Sequence, residues 1–205
     1  AYNEAENLKT FIPSLAATLE QQKVSFEIIV IDDGSKDNTM TVLESMLDRY
    51  PLKILELSRN FGKEAALSAG LDHTTGNLTL MIDADFQHPL DAIPTMINLW
   101  KNGYDMVYGI RNRNTESGLK RLFTYVYYRI LNLSSEVVIP ENAGDFRLLD
   151  EKVVEAIKTL PEKNRYMKGL YAWVGFKSIG IHFSELERKN GQSSFNFKAL
   201  FNLAL

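Results

Sequence analysis

Cysteine is absent from the 205 residues, which removes disulfides, thiol nucleophiles and thiolate metal sites together. There are three histidines, His73, His88 and His182, with no ligand spacing among them. Each reads most simply as a surface or packed residue. No run approaches the ~18 consecutive apolar residues of a membrane span, and no signal-peptide pattern is visible. A Gly-rich phosphate loop closing on Lys-Ser/Thr is missing, and so is the Gly-x-Ser-x-Gly elbow of a serine hydrolase. Charge of one sign is also scarce, with a net of −3. A basic surface for duplex nucleic acid is therefore not expected. What is present is 45% hydrophobic residues, enough for a packed core in a chain of single-domain length.

The small net charge conceals a division. Residues 1–110 carry 8 Lys+Arg against 16 Asp+Glu, a net of −8. Residues 111–205 carry 15 against 10, a net of +5. An acidic half beside a basic half suits a cation on one side and an anionic group on the other.

Strand and helix signals alternate through the first two thirds. Apolar, β-branched runs at 26–31, 52–57, 78–82 and 104–108 read as strands. The stretches 4–22, 37–49, 63–73 and 90–101 have helical length and pattern. Near-continuous apolar strands between helices predict an α/β fold, a mostly parallel sheet covered on both faces. Further on, 119–133, 150–159 and 163–174 read as helices, and 144–149 and 176–183 as strands. Asn3 with Glu6 reads as a capping box that opens a helix at once, so a first strand is expected to precede the sequence. Residues 194–205 read as the start of an amphipathic helix that the chain leaves incomplete.

Chemistry concentrates at strand ends. Asp83-Ala84-Asp85-Phe86-Gln87-His88-Pro89 follows a buried strand, at the C-terminal strand end where α/β proteins bind ligands. Asp83 and Asp85 are two apart and point the same way on an extended backbone. With the Gln87 amide oxygen they form an all-oxygen set suited to Mg²⁺ or Mn²⁺. Asp32-Asp33-Gly34-Ser35 ends another strand; it reads either as a turn with a helix cap at Asp37 or Asn38, or as carboxylates for a base or ribose. Arg59-Asn60-Phe61-Gly62-Lys63 opens a helix rich in Ala and Gly, whose small residues permit close helix–sheet packing.

In order, Tyr2-Asn3-Glu4, Asp32-Asp33-Gly34-Ser35, Arg59-Asn60-x-Gly62, Asp83-x-Asp85-x-Gln87, Ala143-Gly144-Asp145-Phe146-Arg147 and Glu187-Arg188-x-x-Gly191-x-Ser193 resemble the inverting family-two glycosyltransferases. The branch resembled is the polyprenyl-phosphate one, nearest the bactoprenol glucosyltransferases and more distantly the dolichol-phosphate mannose synthases. That resemblance implies a GT-A fold with a nucleotide-sugar-binding half at 1–110 and an acceptor half at 111–193. It implies that Tyr2, Glu4, Asp32, Asp33, Arg59 and Asp83 meet the donor. Asp83, Asp85 and Gln87 would hold the metal. Arg111, Arg121, Arg147 and Arg188 would meet the acceptor phosphate, and Asp145 would be the catalytic base or orient an arginine or the sugar hydroxyls. The implied partners are a nucleotide sugar, a polyprenyl phosphate and a membrane surface, at the cytoplasmic face of a bacterial inner membrane. Homo-oligomerisation stays open.

The family Lys after Gly-x-Ser is Ser194 here, and the family Leu between the metal residues is Phe86. The basic aromatic segment 111–133 reads either as a core helix or as an interfacial helix for anionic headgroups. Glucose is the expected sugar; mannose from GDP-mannose and an amino-arabinose derivative are the alternatives. A sugar nucleotidyltransferase is the rival from another class. An inactive sugar-nucleotide-binding module is disfavoured by the intact Asp83, Asp85 and Asp145.

Overall fold

The computed structural model describes residues 1–111, 143–161 and 166–184. Its order is α1 (Ala5–Gln21), β1 (Ile28–Asp32), α2 (Thr39–Glu44), β2 (Leu52–Glu56), α3 (Lys63–Asp72) and β3 (Leu78–Met81). A 3-10 turn (Leu90–Ala92) then leads to α4 (Ile93–Lys101), β4 (Met106–Arg111), β5 (Ala143–Asp150), α5 (Glu151–Lys158), α6 (Met167–Trp173) and β6 (Ser178–Phe183). Each predicted element inside the described residues forms, with ends shifted by a few residues. The helix expected at 119–133 and the one opening at 194 lie outside them.

β1 and β2 pair in parallel. The second sheet has the order β3-β5-β4-β6. There β4 and β6 are parallel, while β5 runs against both β3 and β4. Among the described residues the sheet is thus mostly co-directional, with β5 reversed. This strand also joins the two halves of the chain, since its neighbours β3 and β4 belong to residues 1–111.

Alternation along β5 builds two cores. Phe146 and Leu148 face α1, α2 and α4, where Leu8, Phe11, Ile12 and Leu15 repeat at helical spacing. Leu149 faces the opposite side, with Leu71 of α3, Val153 and Ile157 of α5, and Leu170 of α6. Asp145 and Arg147 share the parity of Leu149, so they belong to the side that α3 and α6 cover. Close packing is enforced where β4 meets β6: a Cβ on Gly180 would lie 2.4 Å from Ile110 Cδ1, and one on Gly109 would lie 2.5 Å from the Phe183 ring.

The predicted capping box is not what starts α1. Asn3 takes a left-handed φ of 55°, its Oδ1 accepts from Lys36 N at 2.7 Å, and its N–H donates to Ser35 Oγ. The helix is capped from across the fold instead. Glu4 N donates to Thr39 Oγ1 at 3.0 Å and Ala5 N to Asp37 Oδ2 at 3.4 Å. Tertiary donors and acceptors displace the local ones because the turn after β1 packs directly under the helix start. Asp37 also accepts from Thr39 N at 3.0 Å, the role at α2 expected for Asp37 or Asn38.

Candidate active site

The polar centre lies where the ends of β1 and β3, the start of β5, and the first residues of α3 and α6 converge. They line a cavity of about 2030 Å³ that extends between β1 and β3. Met81 stands opposite Arg147 in the antiparallel β3–β5 register. Carried two residues further, that register sets Asp83 opposite Asp145. Like charges facing each other across a strand pair repel. Here both meet one cation: Lys63 Nζ lies 2.8 Å from Asp83 Oδ2 and 3.0 Å from Asp145 Oδ2.

Lys63 is delivered by the loop after β2. Gly62 precedes it with a φ of 96°, a conformation that L side chains rarely adopt. The buried carboxylate of Asp33 pins this loop, accepting from Phe61 N at 2.8 Å and Gly62 N at 2.9 Å. Gly34 fits beneath it because a Cβ there would lie 2.5 Å from the Arg59 carbonyl carbon. Arg59 lies over the exposed Phe61 ring, 4.1 Å from its centroid.

The turn after β3 is unusual. Phe86 has a left-handed φ of 62°, with its ring buried edge-on to Phe11 at 5.2 Å. Apolar anchoring thus holds a backbone conformation that costs about 1–3 kcal/mol in a non-glycine residue. The turn returns Gln87 N to Asp85 Oδ1 at 3.1 Å. His88 is buried, stacked on Phe146 at 4.9 Å, and its Nδ1 accepts from Asp83 N at 3.3 Å. That bond leaves the ring proton on Nε2, which lies 4.0 Å from Asp83 Oδ2. His88 is therefore a packed histidine, as expected, but it also steadies the Asp83 backbone.

The electrostatics follow from this packing. Burial opposes charge on Asp83, yet Lys63 with His88 and Arg111 holds its carboxyl below the ordinary carboxylate range. Burial likewise opposes charge on Lys63, and Asp83 with Asp145 more than offsets it, raising the ammonium pKa. Burial lowers the Lys168 pKa and the His88 pKa. Burial raises the Glu64 carboxyl, whose Oε2 accepts from Met167 N at 2.9 Å and so ties α3 to α6. Asp145 Oδ1 is buried with no hydrogen-bond partner among the described residues.

Residues 1–158 match the glycosyl transferase family 2 model. The chain belongs to that family. A glycosyltransferase of Synechocystis sp. is 44% identical over the whole chain, which spans 65% of that relative. The bactoprenol glucosyl transferase of Shigella phage SfX is 43% identical over the whole chain and 68% covered. The chain thus spans about two thirds of these relatives. A mannosyltransferase of Pyrobaculum calidifontis, solved with GDP-Man and Mn²⁺, superposes with a TM-score of 0.62 at 17% identity, over 94% of this chain and 56% of that one. Glucosyl-3-phosphoglycerate synthase of Mycobacterium tuberculosis gives 0.60 at 17% identity, over 98% and 72%. The fold is the expected GT-A arrangement.

Within this family-two glycosyltransferase the expected residues divide. Tyr2, Glu4, Asp33, Asp83, Asp85, Gln87, Arg111 and Asp145 line the cavity. Asp32 is buried in its own turn, accepting from Ser35 N at 3.2 Å and from the Ser35 hydroxyl. Arg59 lies on the outer side of its loop, over Phe61. Arg147 corrects the acceptor expectation: it is 2% exposed, its guanidinium lies 4.2 Å from the Tyr171 ring centroid, and Nε donates to Gly144 O at 3.0 Å. Its parity on β5 sends it inward beneath α6. Arg121 and Arg188 lie outside the described residues. Sequence reasoning passed over Lys63 and Lys168, two further cavity cations. Lys63 follows Arg59-Asn60-Phe61-Gly62, but nothing in its neighbours announces two carboxylate partners 20 and 82 positions away.

Proposed function

We propose that this chain is the catalytic part of an inverting glycosyltransferase that moves glucose from UDP-glucose onto undecaprenyl phosphate at the cytoplasmic face of a bacterial inner membrane. The observation that carries the reading is Lys63 bridging Asp83 and Asp145 in a cavity that Asp85, Gln87, Arg111 and Lys168 also line. The bactoprenol glucosyl transferases among the relatives support the donor and acceptor classes. Among the described residues, no helix is long and apolar enough to cross a membrane.

The donor set fits a divalent cation. Asp83, Asp85 and Gln87 offer oxygen only, and Asp83 already draws an ammonium. No group of three acidic or histidine residues suited to a metal occurs among the described residues. A hard cation held by one or two carboxylates and completed by substrate phosphates suits that supply, and Mg²⁺ or Mn²⁺ meets it. When bound, the ion supplies charge stabilisation on the leaving diphosphate.

The chain's own residues do the rest. In the transfer, an acceptor phosphate oxygen forms the new bond to C1 as the bond from C1 to the nucleotide diphosphate breaks, inverting that centre. A phosphomonoester has a second pKa near ~6, so the acceptor is largely dianionic at neutral pH and needs little deprotonation. Arg111 and Lys168 supply positive charge on the acceptor side of the cavity. Asp145, already bound to an ammonium, is better suited to orient Lys63 and the sugar hydroxyls than to take a proton.

The test is incubation of the full-length protein with undecaprenyl phosphate and UDP-glucose, GDP-mannose and amino-arabinose donors, with mass spectrometry of the lipid. A glucosylated lipid from UDP-glucose is expected. No lipid-linked sugar from any donor would overturn the reading. Asp145→Asn should retain measurable turnover; a loss of transfer that high pH restores would instead make Asp145 the base.

A further inference from the structure

The β3–β5 register, paired as far as Met81 and Arg147 and carried two residues further, sets Asp83 opposite Asp145, and two like charges so placed are stabilised by a cation between them. Lys63 occupies that position, bonded to both. Its side chain is 42% exposed, against 29% and 12% for the two carboxylates. The Lys63 side chain is thus the most exposed of the three, and its four-carbon stem can rotate the head away. A divalent cation held by Asp83 would compete with the ammonium for that carboxylate. With Asp85 counted, the three carboxylates and Lys63 carry two net negative charges. A dication added alone has to displace the ammonium from Asp83, beside Arg111 and Lys168, which also line the cavity, with no new anion for it to meet. A dication arriving with a doubly negative sugar diphosphate leaves the net charge unchanged and gives the displaced ammonium a phosphate oxygen to meet.

We infer that Lys63 is a resident counter-ion that keeps the divalent cation off Asp83 until the nucleoside diphosphate arrives, so that metal and donor bind as a unit. The inference rests on the reading of Asp83, Asp85 and Gln87 as the metal-holding set. Lys63 is in this sense a positioning residue: before donor binding it preserves the geometry of two opposed carboxylates. Once the donor is bound, it is a cation on the Asp145 side of the cavity. Its loop is built for that precision, because the buried Asp33 carboxylate fixes the two backbone amides immediately before it.

The test is Mn²⁺ titration of the purified full chain, read from the electron paramagnetic resonance of free Mn²⁺, with and without UDP. The chain with Lys63 intact should bind Mn²⁺ weakly alone and markedly tighter with UDP. Lys63→Met should bind Mn²⁺ without nucleotide on the order of tenfold tighter, because the competing charge is gone. Much of its dependence on UDP should disappear, and Lys63→Arg should restore both. Lys63→Gln serves where the Met variant does not fold, thermal melting reporting on both. A folded Lys63 variant that binds nucleotide-free Mn²⁺ no tighter than the parent, while the parent binds Mn²⁺ with UDP, overturns the inference and leaves the metal site standing. A parent that binds no Mn²⁺ even with UDP overturns the metal site, and the inference with it.

Discussion

Two acidic pairs end two strands of this fold, and their carboxylates are used in opposite ways. Asp32 and Asp33, at the end of β1, are satisfied by donors of fixed position: Ser35 on one side, the Phe61 and Gly62 amides on the other. Asp83, after β3, is satisfied by a lysine on a flexible stem and faces a second carboxylate across the sheet. The first pair spends its charge on loop shape, and the second keeps its charge exchangeable. The difference lies in the partners rather than in the acids. A backbone amide cannot leave without unfolding its loop, while an ammonium can be traded for another cation.

Four measurements sharpen or break that contrast. The largest effect is expected for Asp83→Asn. Removing one charge from the exchangeable pair should lower glycosyl transfer about 10²–10³-fold and move the urea unfolding midpoint little. A large stability loss with near-normal transfer would make Asp83 architectural. Asp33→Ala should do the reverse, since it strands two partly buried amides that had a charged acceptor. A loss of about 3 kcal/mol in urea-derived stability is expected. A stable Asp33→Ala protein that had lost only nucleotide binding would dissolve the distinction.

Gly34→Ala follows at about 2 kcal/mol, because the added methyl meets the Arg59 backbone at a φ of 68°. The smallest effect concerns His88. Burial holds its pKa below the ordinary value, so the unfolded chain binds its proton first as pH falls. This contribution to stability is complete above about pH 6.5 and is lost as pH drops from there through the folded pKa. Urea midpoints between pH 7.5 and 5.5 should decline, and His88→Gln should flatten the decline. An unchanged slope in that variant would assign the pH dependence elsewhere.

Much of this was legible from residue order. Alternating apolar runs and helix-length stretches announced the α/β layers, since burial on both sheet faces imposes its period on the chain. The motif from Asp83 to Gln87 announced acidic side chains at the end of β3, where they line the cavity. Other positions misled. Arg147 lies on the same face of β5 as Asp145 and looked like a phosphate contact, but the Tyr171 ring of α6 covers it there. Asn3 had the sequence of a helix cap, and the turn at 35–39 took over that role.

Local periodicity, turn chemistry and the acidic strand ends were determined by the sequence alone, because each depends on residues within a turn or two of one another. The reversal of β5 was not, nor was the pairing it produces. Asp83 and Asp145 are 62 positions apart, and only an antiparallel register places them across from each other. Lys63 lies between them because Asp33, 30 positions earlier, fixes the loop that carries it. Charges distant along the chain interact strongly only when folding brings them within a few ångströms, so the exchangeable centre is a property of the tertiary structure.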